Sequence, residues 1–263
     1  MAMPARNLPM SMPEALLAVF GLPGIAWLAL AMAVAGLVRG FAGFGTALIF
    51  VPVAGMFLAP AQVVGTIVIT GVFSTAALLP RAWRQGDRAE VGWLVLAALP
   101  TVPVGLWLIT QLDADVVRWT VAVIAGGTLA LLISGWRFTG TVGRGGLLVI
   151  GALAGLMGGL TGLTGPMVIL FYLSGQAVAQ SVRANTILFL AALDVVIVAN
   201  LLISGTVEMN IVWLAVVLAV PYFITTMIGQ ALFDPKLEKT YRALALTVIG
   251  LAVLSGLPIW SMI

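Results

Sequence analysis

Two glycine-rich segments contain the residues of this chain that are best suited to binding a small ion. The first runs from Arg39 to Thr46 and the second from Gly158 to Pro166. Glycine permits irregular backbone, which persists inside a membrane only where protein buries it or where it lines a cavity. Each segment leads into a helix start, whose free N–H groups and positive dipole end favour an anion. The candidate substrate-binding residues in these segments are Arg39, Gly43, Phe44, Gly45, Thr46, Thr161, Gly162, Thr164 and Gly165.

Close helix packing is the alternative explanation for these glycines, because small residues let helix backbones approach one another. The pair Gly43 and Gly45 alone fits that explanation. The clustering of glycines and two threonines between Gly158 and Gly165 favours a binding site instead.

Asp194 is the only acidic residue deep inside an apolar segment, here Leu188 to Ile197. A charge at the bilayer centre costs at least roughly 2.5–3.5 kcal/mol, so a functional role is the first hypothesis. We therefore interpret Asp194 as a candidate for proton coupling. A pair with a basic residue, or a protonated carboxyl in an interhelical hydrogen bond, are the alternatives. Because an ionised Asp194 would repel a bound anion, proton carriage or a position outside the pocket is favoured over direct contact.

Three polar residues flank the expected cytoplasmic mouth. Arg39 and Arg183 could attract an anion there, and ordinary topology-setting and snorkelling would also explain them. Asn185 lies close to Arg183 at an expected helix start, where helix capping is an alternative to substrate binding. Arg183 and Asn185 complete the candidate substrate-binding set.

The composition determines the class of protein that positions these residues. Of 263 residues, 62% are hydrophobic and 8% are charged, and the mean hydropathy is +1.19. Soluble domains carry about 25% charged residues. The uncharged runs 15–38, 40–80 and 145–182 each exceed the roughly 20 residues that a transmembrane helix needs. The sequence predicts an all-α polytopic membrane protein.

Two residue types are missing altogether. The chain has no cysteine and no histidine, which excludes disulfides, thiolate chemistry and imidazole metal sites. The net charge of +3 comes from short basic loop clusters rather than a basic face for nucleic acid. We expect no metal and no cofactor. The expected partners are a small anion and the lipid bilayer, with a homodimer left open and no nucleic acid.

Charges, prolines and glycines divide the chain into a tail of residues 1–14 and ten apolar elements. We expect eight to ten transmembrane helices, with broken or re-entrant helices at the glycine-rich segments. The sixth and seventh elements are too short to cross a bilayer without tilt or partners. The first is too long for a typical signal peptide and is interpreted as a retained helix. The elements are 15–38, 44–58, 61–79, 91–110, 117–136, 145–158, 164–174, 184–203, 209–232 and 242–260.

The basic residues predict an orientation. If each element crosses the membrane, only Arg6 and Arg118 fall on one side. The positive-inside rule then places both termini in the periplasm. The basic residues on the cytoplasmic side would be Arg39, Arg81, Arg84, Arg88, Arg137, Arg144, Arg183, Lys236, Lys239 and Arg242.

The chain also matches itself at two offsets. At an offset of 119, Gly36, Gly40 and Gly43 meet glycines of the second half, and at 124 Gly105 and Arg118 meet Gly229 and Arg242. Both alignments give two repeats of five elements, residues 15–138 and 139–263 of one membrane domain. An odd number of elements per repeat inverts the second repeat, as in many secondary transporters. The repeat also explains why Arg118 lies on the outer side.

The segment from Gly40 to Pro52 resembles the first glycine-rich motif of the TauE/SafE sulfite-exporter family, and residues 155–166 repeat it. The resemblance extends over about residues 25–258. It implies a multi-pass protein of the bacterial inner membrane that moves small sulfur-containing or organic anions, with sulfite, sulfoacetate and related sulfonates as candidates. The related thiosulfate-uptake branch depends on cysteines, and this chain has none.

The function expected from the sequence is export of a small sulfur-containing or organic anion by alternating access, with proton coupling through Asp194. An uncoupled channel or facilitator is the transport alternative. A membrane-embedded enzyme is not expected, because cysteine, histidine and paired intramembrane carboxylates are missing. An assembly subunit is the remaining alternative, but it gives no reason for a repeat with broken helices.

Overall fold

The computed structural model describes residues 12–135, 142–174, 179–232 and 238–261. Every regular element in those ranges is a helix, which confirms the predicted all-α class. A short 3-10 turn, Pro258–Ser261, follows the last α-helix. The α-helices are α1 (Met12–Phe20), α2 (Ile25–Ala42), α3 (Thr46–Ala54), α4 (Pro60–Gln85), α5 (Arg88–Gln111), α6 (Ala114–Ser134), α7 (Arg144–Thr161), α8 (Pro166–Ser174), α9 (Ala179–Ile203), α10 (Met209–Ala231) and α11 (Glu238–Ser255).

Six of the described helices are long and apolar enough to cross a membrane: α2, α5, α6, α7, α9 from residue 180, and α10. Helix α4 becomes a seventh if its two parts, Pro60–Phe73 and Leu78–Gln85, count as one span across their 76° bend. This count is lower than the predicted eight to ten. The short α3 and α8 have nine residues each, and at about 1.5 Å per residue they cover roughly half of a ~30 Å hydrocarbon core.

The first predicted element, 15–38, was wrong as a single helix. It is divided into α1 and α2 at Gly21–Gly24. Gly24 adopts a left-handed conformation with φ 78°, and Pro23 cannot donate a helical hydrogen bond. These two residues redirect the chain before α2 begins.

The sixth element was expected to be too short, and this was also wrong. Helix α7 continues through Gly158 and Gly159 to Thr161, giving 18 residues. Glycine disfavours helix interiors by roughly 0.5–1 kcal/mol relative to alanine. Here Gly159 packs directly against α5, whereas Gly158 faces Thr164 and the α9 residues Leu193 and Ile197.

The contact between α5 and α7 brings their backbones together. A Cβ added at Gly155 would lie 2.8 Å from the carbonyl oxygen of Ala98, and one at Gly159 would lie 2.5 Å from that of Val102. Such distances admit no side chain, so the glycines are required for this packing. Close helix packing, the alternative explanation that we gave for the glycines, therefore applies to α5 and α7.

Helices α2 and α10 make a corresponding contact. A Cβ at Gly36 would lie 2.6 Å from the carbonyl oxygen of Tyr222, and one at Gly40 would collide with that of Thr226. The two contacts correspond at the two sequence offsets. Adding 119 to the α2 positions gives the α7 glycines, and adding 124 to the α5 positions gives their α10 partners. The two interfaces therefore use corresponding positions of the two halves.

We expect Gly105→Ala to destabilise the protein by about 1–3 kcal/mol, because the new methyl group would collide with the carbonyl oxygen of Leu156. Gly229→Ala should have a similar effect through the carbonyl oxygen of Leu37. Gly127→Ala is the matched control, since nothing lies within 4 Å of its Cβ position. Thermal unfolding of the purified protein in detergent measures all three variants. Equal melting temperatures would contradict the described packing.

Candidate functional site

At both predicted glycine breaks a left-handed glycine follows the end of a helix. Helix α2 ends at Gly43 with φ 80°, and α7 ends at Gly162 with φ 75°. Gly45, with φ 101°, precedes the start of α3, and Gly165 precedes α8. The positive φ of Gly43, Gly45 and Gly162 suits glycine alone among the common residues, whereas Gly165 does not have a positive φ. Each break thus ends one helix and starts a short one, as predicted.

The two short helices begin at one small cavity of about 30 Å³. Such a volume accommodates about two water molecules, since one needs roughly 10–15 Å³. The first N–H groups of a helix have no partner within the helix, and they lie at its positive end. The predicted residues that line this central cavity are Arg39, Gly45, Thr46, Gly162, Thr164, Gly165 and Asp194.

Arg39 is the basic group of the central cavity. Its side chain lies in the last turn of α2 and is only 4% exposed. One guanidinium nitrogen, Nη2, donates a hydrogen bond to the hydroxyl of Thr75 at 3.1 Å. Its Nε is buried and has no hydrogen-bond partner among the described residues. Arg39 therefore retains donor capacity for a ligand.

Asp194 is the acidic group of the same cavity. It lies in α9, is 6% exposed, and packs its Oδ2 so tightly on Gly71 that a Cβ there would collide with it. Asp194 and Arg39 do not form an ion pair within 4 Å. The cavity is therefore lined by one cation and one carboxyl that do not form an ion pair with each other.

Tyr222 is a cavity residue that the sequence analysis missed. It is fully buried in α10, and its hydroxyl forms a 2.8 Å hydrogen bond with Thr46 Oγ1. This bond joins the start of α3 to α10. The chain has only three tyrosines, and a phenol inside an apolar helix is a signal that could have indicated it. The apolar lining residues, such as Ile67 and Leu190, carried no such signal.

Arg183 and Asn185 do not line the central cavity. Arg183 donates a 2.8 Å hydrogen bond to the carbonyl oxygen of Gly40, and its side chain packs over Gly43. Gly43 and Phe44 also lie outside the cavity lining. Arg183 therefore joins α9 to the end of α2.

The suggested capping role of Asn185 is corrected by the structure. Helix α9 begins at Ala179, so Asn185 lies inside the helix rather than at its start. The Asn185 side chain accepts a 2.6 Å hydrogen bond from the N–H of Asp87 and donates one to Glu90 at 3.1 Å. It therefore binds the start of α5 instead of capping α9.

A larger cavity of about 340 Å³ lies next to the central one. Thr161 lines this larger cavity and the adjacent Gly162 lines the central one. The separating layer is apolar at Gly162, because a Cβ placed there would meet the methyl groups of Val51, Val64 and Ile67. We call the larger cavity the vestibule.

Comparison with known proteins identifies the family. Residues 28–256 match the model of the family described as sulfite exporter TauE/SafE. The chain belongs to the TauE/SafE family. It is 25% identical over 223 residues to a protein of Cupriavidus necator described as a probable sulfite/organosulfonate exporter TauE, which covers 82% of this chain and 87% of that protein. No solved structure matches the chain.

Membership of the TauE/SafE family confirms the resemblance that the glycine-rich segments indicated. Members of the TauE/SafE family are transporters, so this TauE/SafE protein is a membrane transporter and not an enzyme. Helix α1 lies before the matched residues, whereas both glycine breaks and Asp194 lie within them.

The packing of Asp194 on Gly71 can be tested by a double-mutant cycle in this TauE/SafE protein. Gly71→Ala should lower the stability by about 1–3 kcal/mol, because the new methyl group would collide with the carboxyl. In an Asp194→Ala background the same change should cost much less, since the colliding atoms are gone. Gly92→Ala, which meets nothing within 4 Å, is the control. Additive effects in thermal unfolding would contradict the contact.

Proposed function

We propose that this TauE/SafE protein exports a small sulfur-containing anion, either sulfite or a short sulfonate such as sulfoacetate. The observation that carries the proposal is the cavity at which Arg39 meets the starts of α3 and α8. An oxyanion accepts hydrogen bonds from a guanidinium and from helix N-terminal N–H groups at the same time. The family description and the name of the relative support sulfur-containing anions as the substrate class.

The charges of the cavity favour binding the anion together with a proton. Arg39 and an ionised Asp194 balance each other when the cavity is empty. An anion bound beside both would leave one excess negative charge, and this is costly in a low-dielectric interior. Protonation of Asp194 removes that excess. For a monovalent anion such as hydrogen sulfite, the cavity is therefore neutral with either both ligands or neither, which couples that anion to one proton.

The size of the cavity supports alternating access. A volume of about 30 Å³ suits water and is too small for an oxyanion of four or more heavy atoms. The parts of the protein around α3 and α8 must separate for the anion to enter and leave. The vestibule offers space on one side of the cavity.

Two inverted repeats, α2–α6 and α7–α11, would provide those moving parts. The matching glycine contacts of α5 with α7 and of α2 with α10 support this division. So do the matching left-handed glycines, Gly43 and Gly162, at the two breaks. In transporters with inverted repeats, the substrate site lies between the repeats and is reached from each side in turn.

We further propose that the protein lies in the bacterial inner membrane with both termini in the periplasm. The described basic residues Arg81, Arg84 and Arg88 fall near the α4–α5 connection, and Arg144 starts α7. The positive-inside rule assigns these ends to the cytoplasm, and Arg118 then lies on the outer side. Arg6, Arg137 and Lys236 belong to the orientation argument but lie outside the described residues.

Arg39→Gln should abolish anion flux into or out of proteoliposomes, because the buried positive charge of the cavity is lost. Arg39→Lys should retain a reduced flux, since lysine keeps the charge but loses the planar arrangement of donors. Arg88→Gln is the matched control, because Arg88 is exposed and stacks on Trp83. Efflux of radiolabelled sulfite and sulfoacetate measures the variants. Wild-type flux from a folded Arg39→Gln protein would contradict the proposed site.

Proton coupling predicts that efflux accelerates when the outside is more alkaline than the inside, because a proton leaves with the anion. Asp194→Asn mimics the protonated state permanently, so we expect anion exchange to continue and the response to the pH gradient to vanish. Asp113→Asn, at the exposed start of α6, should keep the wild-type response. Flux through the wild-type protein without any pH dependence would instead indicate an uncoupled channel.

A further inference from the structure

We propose that the vestibule is a second anion-binding site, in which Arg118 holds the substrate anion between the central cavity and the outer face. This inference rests on the proposed transport function. The sequence repeat explains only why Arg118 lies on the outer side, and the inference adds a role for it in transport.

The position of the vestibule places it on the path of the anion. Its wall includes Val51, Val63 and Thr161, and the central cavity lies behind the adjacent residues Ile67 and Gly162. A Cβ placed on Gly162 would lie 3.3 Å from a methyl group of Ile67 and 3.6 Å from methyl groups of Val51 and Val64, so apolar side chains lie between the two spaces at this point. An anion that passes this layer from the central cavity enters the vestibule first.

Among the described residues that line the vestibule, Arg118 is the only charged one. Its Nη1 donates a 3.2 Å hydrogen bond to Asp115, whose side chain is 75% exposed. Its Nε is buried and has no hydrogen-bond partner among the described residues. An exposed ion pair of this kind contributes about 0–1 kcal/mol. The anion can therefore compete with Asp115 for the guanidinium at little cost.

The remaining lining of the vestibule suits an anion with a short carbon chain. Val117 and Val121 of α6 and Val51 of α3 provide apolar surface beside the guanidinium. Arginine binds oxyanions through two parallel N–H bonds. A volume of about 340 Å³ falls within the range of roughly 300–1,000 Å³ that is usual for small-molecule sites. The vestibule can thus hold a whole sulfonate in the conformation described.

Sided transport assays test the proposal. Right-side-out and everted membrane vesicles containing the full-length protein present the outer and the cytoplasmic face, respectively, to labelled sulfite or sulfoacetate. Arg118→Gln should raise the half-saturating anion concentration at the outer face by about tenfold and leave that at the cytoplasmic face unchanged. Arg118→Lys should recover part of the loss, because it keeps the charge.

Asp115→Asn separates a binding role from a structural one. If Asp115 competes with the anion, removing its charge should lower the half-saturating concentration at the outer face, opposite to Arg118→Gln. If the ion pair only stabilises α6, both variants should change transport in the same direction, and that result would overturn the inference.

Two other outcomes also decide the question. Normal wild-type transport with no change at the outer face in Arg118→Gln would refute the vestibule site and leave the proposed function intact. A wild-type protein that transports neither anion would refute the proposed function and the vestibule site together.

Discussion

A helix that starts inside a membrane exposes backbone N–H groups that lipid cannot bind, and this constraint governs the whole molecule. Helices α3 and α8 both start this way, at Gly45 and Gly165. Unsatisfied groups of this kind each cost several kcal/mol in hydrocarbon. They must therefore face protein, water or a ligand. The central cavity gives them a place to do so, and residues of the long helices α2, α4, α9 and α10 line it.

The second requirement is that the charges around the central cavity balance. Arg39 adds a positive charge to the two positive helix ends, and Asp194 is the carboxyl that lines the same space. Neither group forms an ion pair with the other within 4 Å. A site with this composition favours an anion most strongly when the carboxyl carries a proton. The same physical chemistry thus accounts for binding and for the coupling that we propose.

Sequence reasoning found the features that depend on local chemistry. The left-handed glycines, the apolar helices and the isolated Asp194 follow from residue type and spacing. It missed features that depend on tertiary contacts. Gly159 lies within a helix that packs directly on α5, Asn185 binds the distant start of α5, and Tyr222 reaches Thr46 across 176 positions of sequence. No local pattern could reveal these partners, nor the vestibule.

The most direct measurement is the position of a bound anion. Crystals of the protein with ordinary methionine, grown with selenite in place of sulfite, would give an anomalous selenium signal. The account predicts a peak within hydrogen-bonding distance of Arg39, between the starts of α3 and α8. Crystals in which α3 and α8 have moved apart around the cavity, with saturating selenite and no peak beside Arg39, would contradict the proposed site.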